Sequence, residues 1–308
     1  VPDGRPELTL GPVLFNWRAD DWADFYARIA DEADLDRVVL GEVVCSKRLP
    51  FYAQRVAAAV ERLQRGGKAV ALASLALVTS PRERGLAADL AAMEETEIEV
   101  NDLTLLGLLP AGRGFSVGPL VNVYNEATLA FLAERGARRV CLPPELPLAS
   151  VAALATAAEG LSLTLEVWSF GRVPLALSGR CYHARIHGLS KDSCQFVCAE
   201  DPDGLAVETL DGEGFLAVNG VQTLSYSCAT TLGRSDDLRG AGLTAFRLSP
   251  QLCDMVAVTR LYRDRLAGAL GAGEALARLQ ALQGIAPLSD GFLAGGVGAA
   301  RVSGPGPL

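Results

Sequence analysis

The chain is 308 residues long, 50% hydrophobic and 21% charged, with a mean hydropathy of +0.24. That is ample material for a core and excludes general disorder. A net charge of −8 and a pI of about 5.0 argue against nucleic-acid binding through a bulk positive field and leave only local basic patches. No stretch approaches the roughly 18 consecutive apolar residues that span a bilayer. The opening residues, VPDGRPELTL, hold no signal-peptide core, so the expected location is the cytoplasm.

Short β-rich runs alternate with helical patterns along most of the chain. LTLGPVL (8–14) reads as a strand, and the segment around Trp22 to Ala30 as a helix opened by Asp20 or Asp21. DRVVLGE (36–42) is a second strand, followed by the apolar-periodic stretch Phe51–Gln64, which Gly66 and Gly67 terminate. KAVALAS (68–74) is a third strand, and Pro81 suits the first turn of the helix after it. EIEV (97–100) and FSVGPLVNV (115–123) are the fourth and fifth strands, and Asn125 caps a helix that Gly136 ends. RRVCL (138–142), the helix Leu148–Glu159 and LSLTLEVWSF (161–170) continue the alternation. After a break it resumes with LTAFRLSP (243–250) and a long helix through Leu266.

Eight strands, most followed by helices, predict a parallel sheet. The count favours a closed (β/α)8 TIM-like barrel, with an open doubly wound sheet as the alternative. One barrel domain is expected over 7–290, with an insertion at 171–241 between strands seven and eight that contains a hairpin at 206–220. The Gly- and Pro-rich residues 291–308 are expected to form a flexible tail.

The seven cysteines lie at 45, 141, 181, 194, 198, 228 and 253. In a reducing compartment, clustered cysteines read as metal ligands before disulfides. Cys181, Cys194 and Cys198 form C-x12-C-x3-C within the insertion, where a loop can wrap thiolates around one point. Three thiolates are one short of a closed site, and Cys45, in the polar turn GEVVCSKR after strand two, is the best fourth. Loops after strands two and seven of a barrel open on one face, so the four can meet across its mouth. Cys141, inside a strand, and Cys253, at the start of an apolar helix, suit core packing, and Cys228 suits either role. Spacing leaves both zinc and a [4Fe–4S] cluster open.

EVWSFGRVPLALSGRC (166–181) resembles the signature of the collagenase-like peptidase family. Glu166, Trp168, Gly171, Val173, Gly179 and Cys181 fit that signature, whereas Arg172 replaces a small residue and Pro174 stands where the family has its first cysteine. The resemblance is closest to an iron–sulfur subgroup. It is carried collinearly by LGPVL (10–14), LGEVVCSKR (40–48), LALV (75–78), NVYN (122–125), PEL (144–146), KDSC (191–194), NGVQT (219–223) and RLSP (247–250). What it implies is a barrel fold and a [4Fe–4S] cluster on Cys45, Cys181, Cys194 and Cys198, Cys45 replacing the ligand lost at Pro174. It further implies oxygen-independent hydroxylation of a ubiquinone precursor in a heterodimer with a homologous UbiU-type subunit, with a non-O2 oxygen donor for which prephenate is the expectation. A peptidase activity, or a non-catalytic scaffold or electron-transfer subunit, is the alternative.

Glu42 and Glu166 are expected near the C-terminal ends of strands two and seven, where barrel enzymes place acid–base groups; structural pairing with an Arg is the competing role. Asn122 and Tyr124, at the end of strand five, are expected to face the same cavity. Lys47, Arg48, Arg180 and Arg185 flank the cysteines and would stabilise an anionic cluster or grip a dicarboxylate, unless they are merely solvated. The two histidines, His183 and His187, lie near Ser178, Ser190 and Ser193, but no G-x-S-x-G elbow supports a hydrolytic triad. The sequence has no P-loop or dinucleotide fingerprint, so no nucleotide cofactor is expected.

Overall fold

A computed structural model describes residues 4–301. In chain order the elements are β1 (Glu7–Leu10), α1 (Ala19–Glu32), β2 (Arg37–Leu40), α2 (Leu49–Arg65), β3 (Ala69–Ala73), α3 (Pro81–Ala91), β4 (Glu97–Val100), α4 (Leu103–Leu106), β5 (Phe115–Val117), α5 (Glu126–Glu134), β6 (Ala137–Leu142) and α6 (Leu148–Ala158). Then follow β7 (Thr164–Leu177), α7 (Tyr182–Ile186), β8 (Leu205–Glu208), β9 (Gly214–Asn219), β10 (Gln222–Thr230), α8 (Ser235–Gly240), β11 (Ala245–Leu248), α9 (Met255–Leu266), α10 (Ala272–Gln280) and β12 (Leu288–Ser289).

Strands β1 to β7 pair in sequence order, all parallel, and β11 pairs in parallel with both β1 and β7. The sheet therefore closes on itself as a (β/α)8 barrel, which decides between the two architectures open to the sequence. Period-two alternation sorts the side chains. Leu8, Leu10, Val38, Leu40, Ile98 and Val100 join the main apolar core that packs against the helices. The residues alternating with them include the charged Glu7, Arg37, Glu97 and Glu99, which join an ion-pair network inside the barrel.

Arg247 of β11 holds Glu99 of β4 through two hydrogen bonds of 2.7 and 2.9 Å. The two strands are not neighbours in the sheet, so this clasp spans the interior. Arg247 also donates to Glu166 (3.1 Å), which accepts from Arg139 (3.3 Å), and Arg139 in turn pairs with Glu7. Arg37 pairs with Glu97 and donates to Ser116 Oγ at 3.1 Å. Glu166 is wholly buried. Burial opposes its charge, but Arg247 and then Arg139 outweigh that and hold its carboxyl below the usual range. Above the charges lies a second apolar layer, with Val39, Ala71, Ala73 and Trp168 packed against Leu14, Val43, Val44 and Cys181.

The insertion grows out of β7, which runs on past the barrel to Leu177. Strand β10 lies antiparallel to that extension, and β9 and β8 add to its edge; β12 pairs with β10 in parallel. The expected hairpin is β8 and β9. Of the tail, residues 291–301 fold back on the barrel: Leu293 is buried and its carbonyl accepts from Leu148 N–H at the start of α6. The remainder of the expected tail, 302–308, lies outside the described residues. No helix among the described residues is long and apolar enough to cross a membrane.

Helix α3 opens with a capping box: Ser80 Oγ accepts from Glu83 N–H, and Glu83 accepts from Ser80 N–H. Glu83 also takes hydrogen bonds from Thr79 and from Ser46 Oγ (2.8 Å). Burial opposes its charge, yet these donors together bring its pKa down to about 2. A depressed pKa adds stability that is fully present above the unfolded value and fades as pH falls toward the folded one. Glu83→Gln should therefore be destabilised at pH 7, by about 1–2 kcal/mol. Urea titrations should show the gap to wild type narrowing as the pH is lowered from 4.5 toward 2.

Candidate metal centre

The loops at the C-terminal ends of β1 and β2 and the first part of the insertion meet over the barrel mouth. Cys181 and Cys198 are buried, and Cys45 and Cys194 half-buried. Cys45, Cys181 and Cys194 share the upper apolar layer. Burial pushes the Cys181 thiol up, and Cys198 and Cys194 lie near enough to push the same way by charge repulsion. Burial likewise raises Cys45, with Arg48 working against it. The structure thus gathers the four sequence-predicted cysteines on one face.

Each arm of the set is pinned locally. Glu42, just past β2, accepts from Val44 N–H (2.8 Å), Cys45 N–H (2.9 Å) and Tyr52 Oη (2.8 Å), which winds the turn carrying Cys45. Cys181 caps α7, its sulfur accepting from Ala184 N–H at 3.4 Å. Asn16, after β1, donates to Cys198 Sγ at 3.3 Å. Between Cys194 and Cys198, Gln195 and Phe196 both adopt positive φ, 49° and 58°, a conformation that costs non-glycine residues free energy and clusters at functional turns. Phe196 is held edge-on by Phe51 and lies under Lys47, whose ammonium donates to the carbonyls of Lys191 (2.7 Å) and Asp192 (3.1 Å). The barrel's second loop therefore carries Cys45 and also fastens the segment carrying Cys194.

Arg48 is the central cation. It is 1% exposed and donates to Leu14 O (2.9 Å) and Asn219 Oδ1 (2.8 Å). Its Nε has no partner, and among the described residues no carboxylate comes within 4 Å of it. Its electrostatic neighbours are Glu42, Cys198 and Cys45. Gly220 is required beside it: φ is +64°, and a Cβ there would lie 2.6 Å from the guanidinium. A buried guanidinium needs negative charge around it, and deprotonated thiolates at Cys45 and Cys198 would supply that charge. The residues present fit an anionic thiolate-held group in three respects: four cysteines on one face, N–H donors to two sulfurs, and an enclosed cation.

The only three-residue group of His, Cys, Asp and Glu donors within 4.8 Å of one another, among the described residues, is His183, His187 and Asp201. His183 is committed already, with Nε2 2.9 Å from Asp201 Oδ2 and Nδ1 3.2 Å from Val218 O. No three of the cysteine sulfurs are that close. A single tetrahedral zinc would draw its thiolates to about 3.8 Å of one another, given a Zn–S bond of about 2.3 Å.

The remaining predicted site residues fall elsewhere. Glu166 is the third residue of a fourteen-residue strand, not near its C-terminal end, and sits in the ion-pair network. The strand is longer than its sequence pattern because β10 pairs with its second half. Asn122 and Tyr124 lie beyond β5, which stops at Val117; both are exposed, and Tyr124 Oη bonds Glu145. Arg180 and Arg185 are exposed on the insertion. Ser190 and Ser193 hydrogen-bond each other at 2.9 Å. Pro174 shares a small cavity with Leu14, Val43 and Trp168, close to the loop of Cys45. Cys141 and Cys228 are buried in strands, and Cys253 contacts Met255 just before α9. Asn16, Asn219 and Asp201 had no sequence signal, since each acts only through a distant segment.

Replacing Arg48 by Met should leave Asn219 Oδ1 without its donor, while Leu14 O keeps the bond from Asn219 Nδ2 (2.8 Å), and should cost about 3 kcal/mol in urea unfolding, with Arg48→Lys recovering part of the loss. An unchanged midpoint in Arg48→Met would contradict the central place given to this cation.

The sequence model of Peptidase family U32 matches residues 20–295, from the start of α1 through the segment that packs Leu293 on the barrel, and the chain belongs to that family.

Proposed function

We propose that this protein is the iron–sulfur subunit of an oxygen-independent hydroxylase acting on a ubiquinone precursor, similar to the ubiquinone biosynthesis protein UbiV and working with a UbiU-type homologous subunit. The observation that carries the reading is Arg48, a buried guanidinium in no ion pair, with Glu42, Cys198 and Cys45 as its charge neighbours. Cys45, Cys181, Cys194 and Cys198 would hold a [4Fe–4S] cluster, which when bound supplies redox or Lewis-acid activation of an oxygen donor.

The chain's own residues supply the setting. Asn16 and the Ala184 N–H stabilise charge on two sulfurs, and Arg48 offsets the negative charge of the whole set. Glu42 fixes the turn that carries Cys45, and Lys47 ties that loop to the segment that carries Cys194. Arg180 and Arg185 remain free to draw in a dicarboxylate donor such as prephenate. Tyr182, Ile186 and Leu175, all exposed on the insertion next to Cys181, support coverage of this face by a second subunit. A serine-peptidase reading has less support, because both nitrogens of His183 face Asp201 and Val218 and Ser190 and Ser193 face each other.

After anaerobic preparation, alanine at Cys45, Cys181, Cys194 or Cys198 should each remove most iron and sulfide and the broad absorption of the cluster. Alanine at Cys141 or Cys253 should leave them unchanged. Full cluster content in Cys45→Ala would overturn the cross-barrel ligand set.

Anaerobic co-expression with the UbiU-type subunit should give a stable complex that hydroxylates ubiquinone precursors when prephenate is supplied. Hydrolysis of a peptide by the colourless protein, with no hydroxylation by the complex, would favour the peptidase reading.

A further inference from the structure

The outer face of the barrel is sealed by helices everywhere around β2 and β4, where Val38, Leu40, Ile98 and Val100 are fully buried. Strand β3 between them differs: Val70 and Leu72 are only half-buried. The reason is local. Helix α2 leans on α1, and the apolar residues that α3 buries fully, Ala87 and Ala91, are small, which leaves a gap between the two helices over β3. The gap is a cavity of about 350 Å³, within the size range of small-molecule sites. Its walls are largely aliphatic, with Leu72, Val56, Leu86, Leu90 and Met93 converging on it.

One end is polar. Glu42, Ser46 and Glu83 close it, and Glu42 and Ser46 flank Cys45 in the same loop. Glu83, with a pKa of about 2, is ionised at neutral pH. The Glu83 carboxylate at this end disfavours an anionic head group and suits a neutral one that donates a hydrogen bond. We infer that the α2/α3 cavity binds the apolar chain of a neutral, hydroxyl-bearing amphiphile, with its head against the loop that carries Cys45. That the amphiphile is the molecule hydroxylated rests on the proposed function; that the cavity binds an apolar chain does not.

The full chain should bind the neutral fluorophore N-phenyl-1-naphthylamine saturably at one site, and 1-decanol should displace it. Shortening the alcohol should weaken displacement by about fourfold per methylene. Decanoate should compete less well than 1-decanol by about tenfold or more. Ala53→Trp, at an exposed α2 position on the cavity wall, should weaken fluorophore binding by about tenfold, and Ala87→Phe should do the same from α3. Leu252→Ser, in the separate groove between α1 and α9, should have no effect. Cys181→Ala should also leave fluorophore affinity intact, so loss of the cluster and failure of the cavity are read separately. The inference is overturned if both filling variants bind like wild type, if decanoate matches decanol, or if Leu252→Ser abolishes binding. It is equally overturned if light scattering shows a dimer that Ala53→Trp disperses, since the cavity would then be a contact between copies.

Discussion

Arg247 is the residue on which the barrel closes. A parallel barrel this small must fill its interior with side chains, and most do so with branched aliphatics. Here the filling is ionic: a guanidinium from β11 reaches across to Glu99 of β4 and sideways to Glu166 of β7. Every charge in that clasp is out of water, so losing one partner leaves another buried and uncompensated, which typically costs several kcal/mol. The arrangement trades the tolerance of an aliphatic core for a fixed geometry. The strands β4, β7 and β11 are held at set positions, and the loops above them start from a rigid floor.

That floor explains why the cysteine face sits as a separate layer. Above the charges, Val39, Ala71, Ala73 and Trp168 form an apolar ceiling shared with Cys181 and the segments around Leu14 and Val43. A second guanidinium, Arg48, lies within this upper layer, tied to Leu14 O and Asn219 Oδ1. The two buried arginines solve opposite problems. Arg247 is in direct ion pairs with Glu99 and Glu166, whereas Arg48 has no carboxylate within ion-pair distance and has Glu42 and the thiols of Cys198 and Cys45 as its charge neighbours.

The fold was largely legible because short strands alternate with helical patterns along the chain, and most of those strands are bounded by Gly, Pro or Asx. Helix starts such as Pro81 and Asn125 stand where the pattern put them. The extent of β7 was not legible. LSLTLEVWSF looks like a complete strand, and only the antiparallel pairing with β10, some fifty residues later, shows that it continues to Leu177. That one hidden partner moved Glu166 from the rim of the barrel into its centre. Asn122 and Tyr124 were misplaced for a similar reason, because the run 115–123 contains a strand of three residues followed by a turn over Pro119–Val121. For the site, cysteine spacing is visible in a sequence, while the partners that give it meaning are not: Asn16 reaches Cys198 across 182 positions, and Arg48 reaches Asn219 across 171.

Pro174 ties these threads together. A proline inside a strand cannot donate to the ladder, and it is tolerated where the ladder is already irregular. The β7–β10 register shifts on both sides of its partner Leu224, and the neighbouring Val173 N–H bonds Ser225 Oγ instead of a carbonyl. The position that holds a cysteine in the family signature has thus become part of a bulge, and a thiol from the loop after β2 is available on the same face. The consequence is topological. A ligand set drawn entirely from the insertion would brace the insertion alone, whereas one that includes Cys45 joins it to the barrel across a gap of more than a hundred residues. Binding free energy at such a site is also folding free energy, because the unfolded chain has no preformed site. With Lys47 already holding the Cys194 segment and Arg48 holding Asn219, the barrel's second loop becomes the hinge between scaffold and centre. A cluster held by this set would couple the placement of the insertion to the oxidation and occupancy of the site itself.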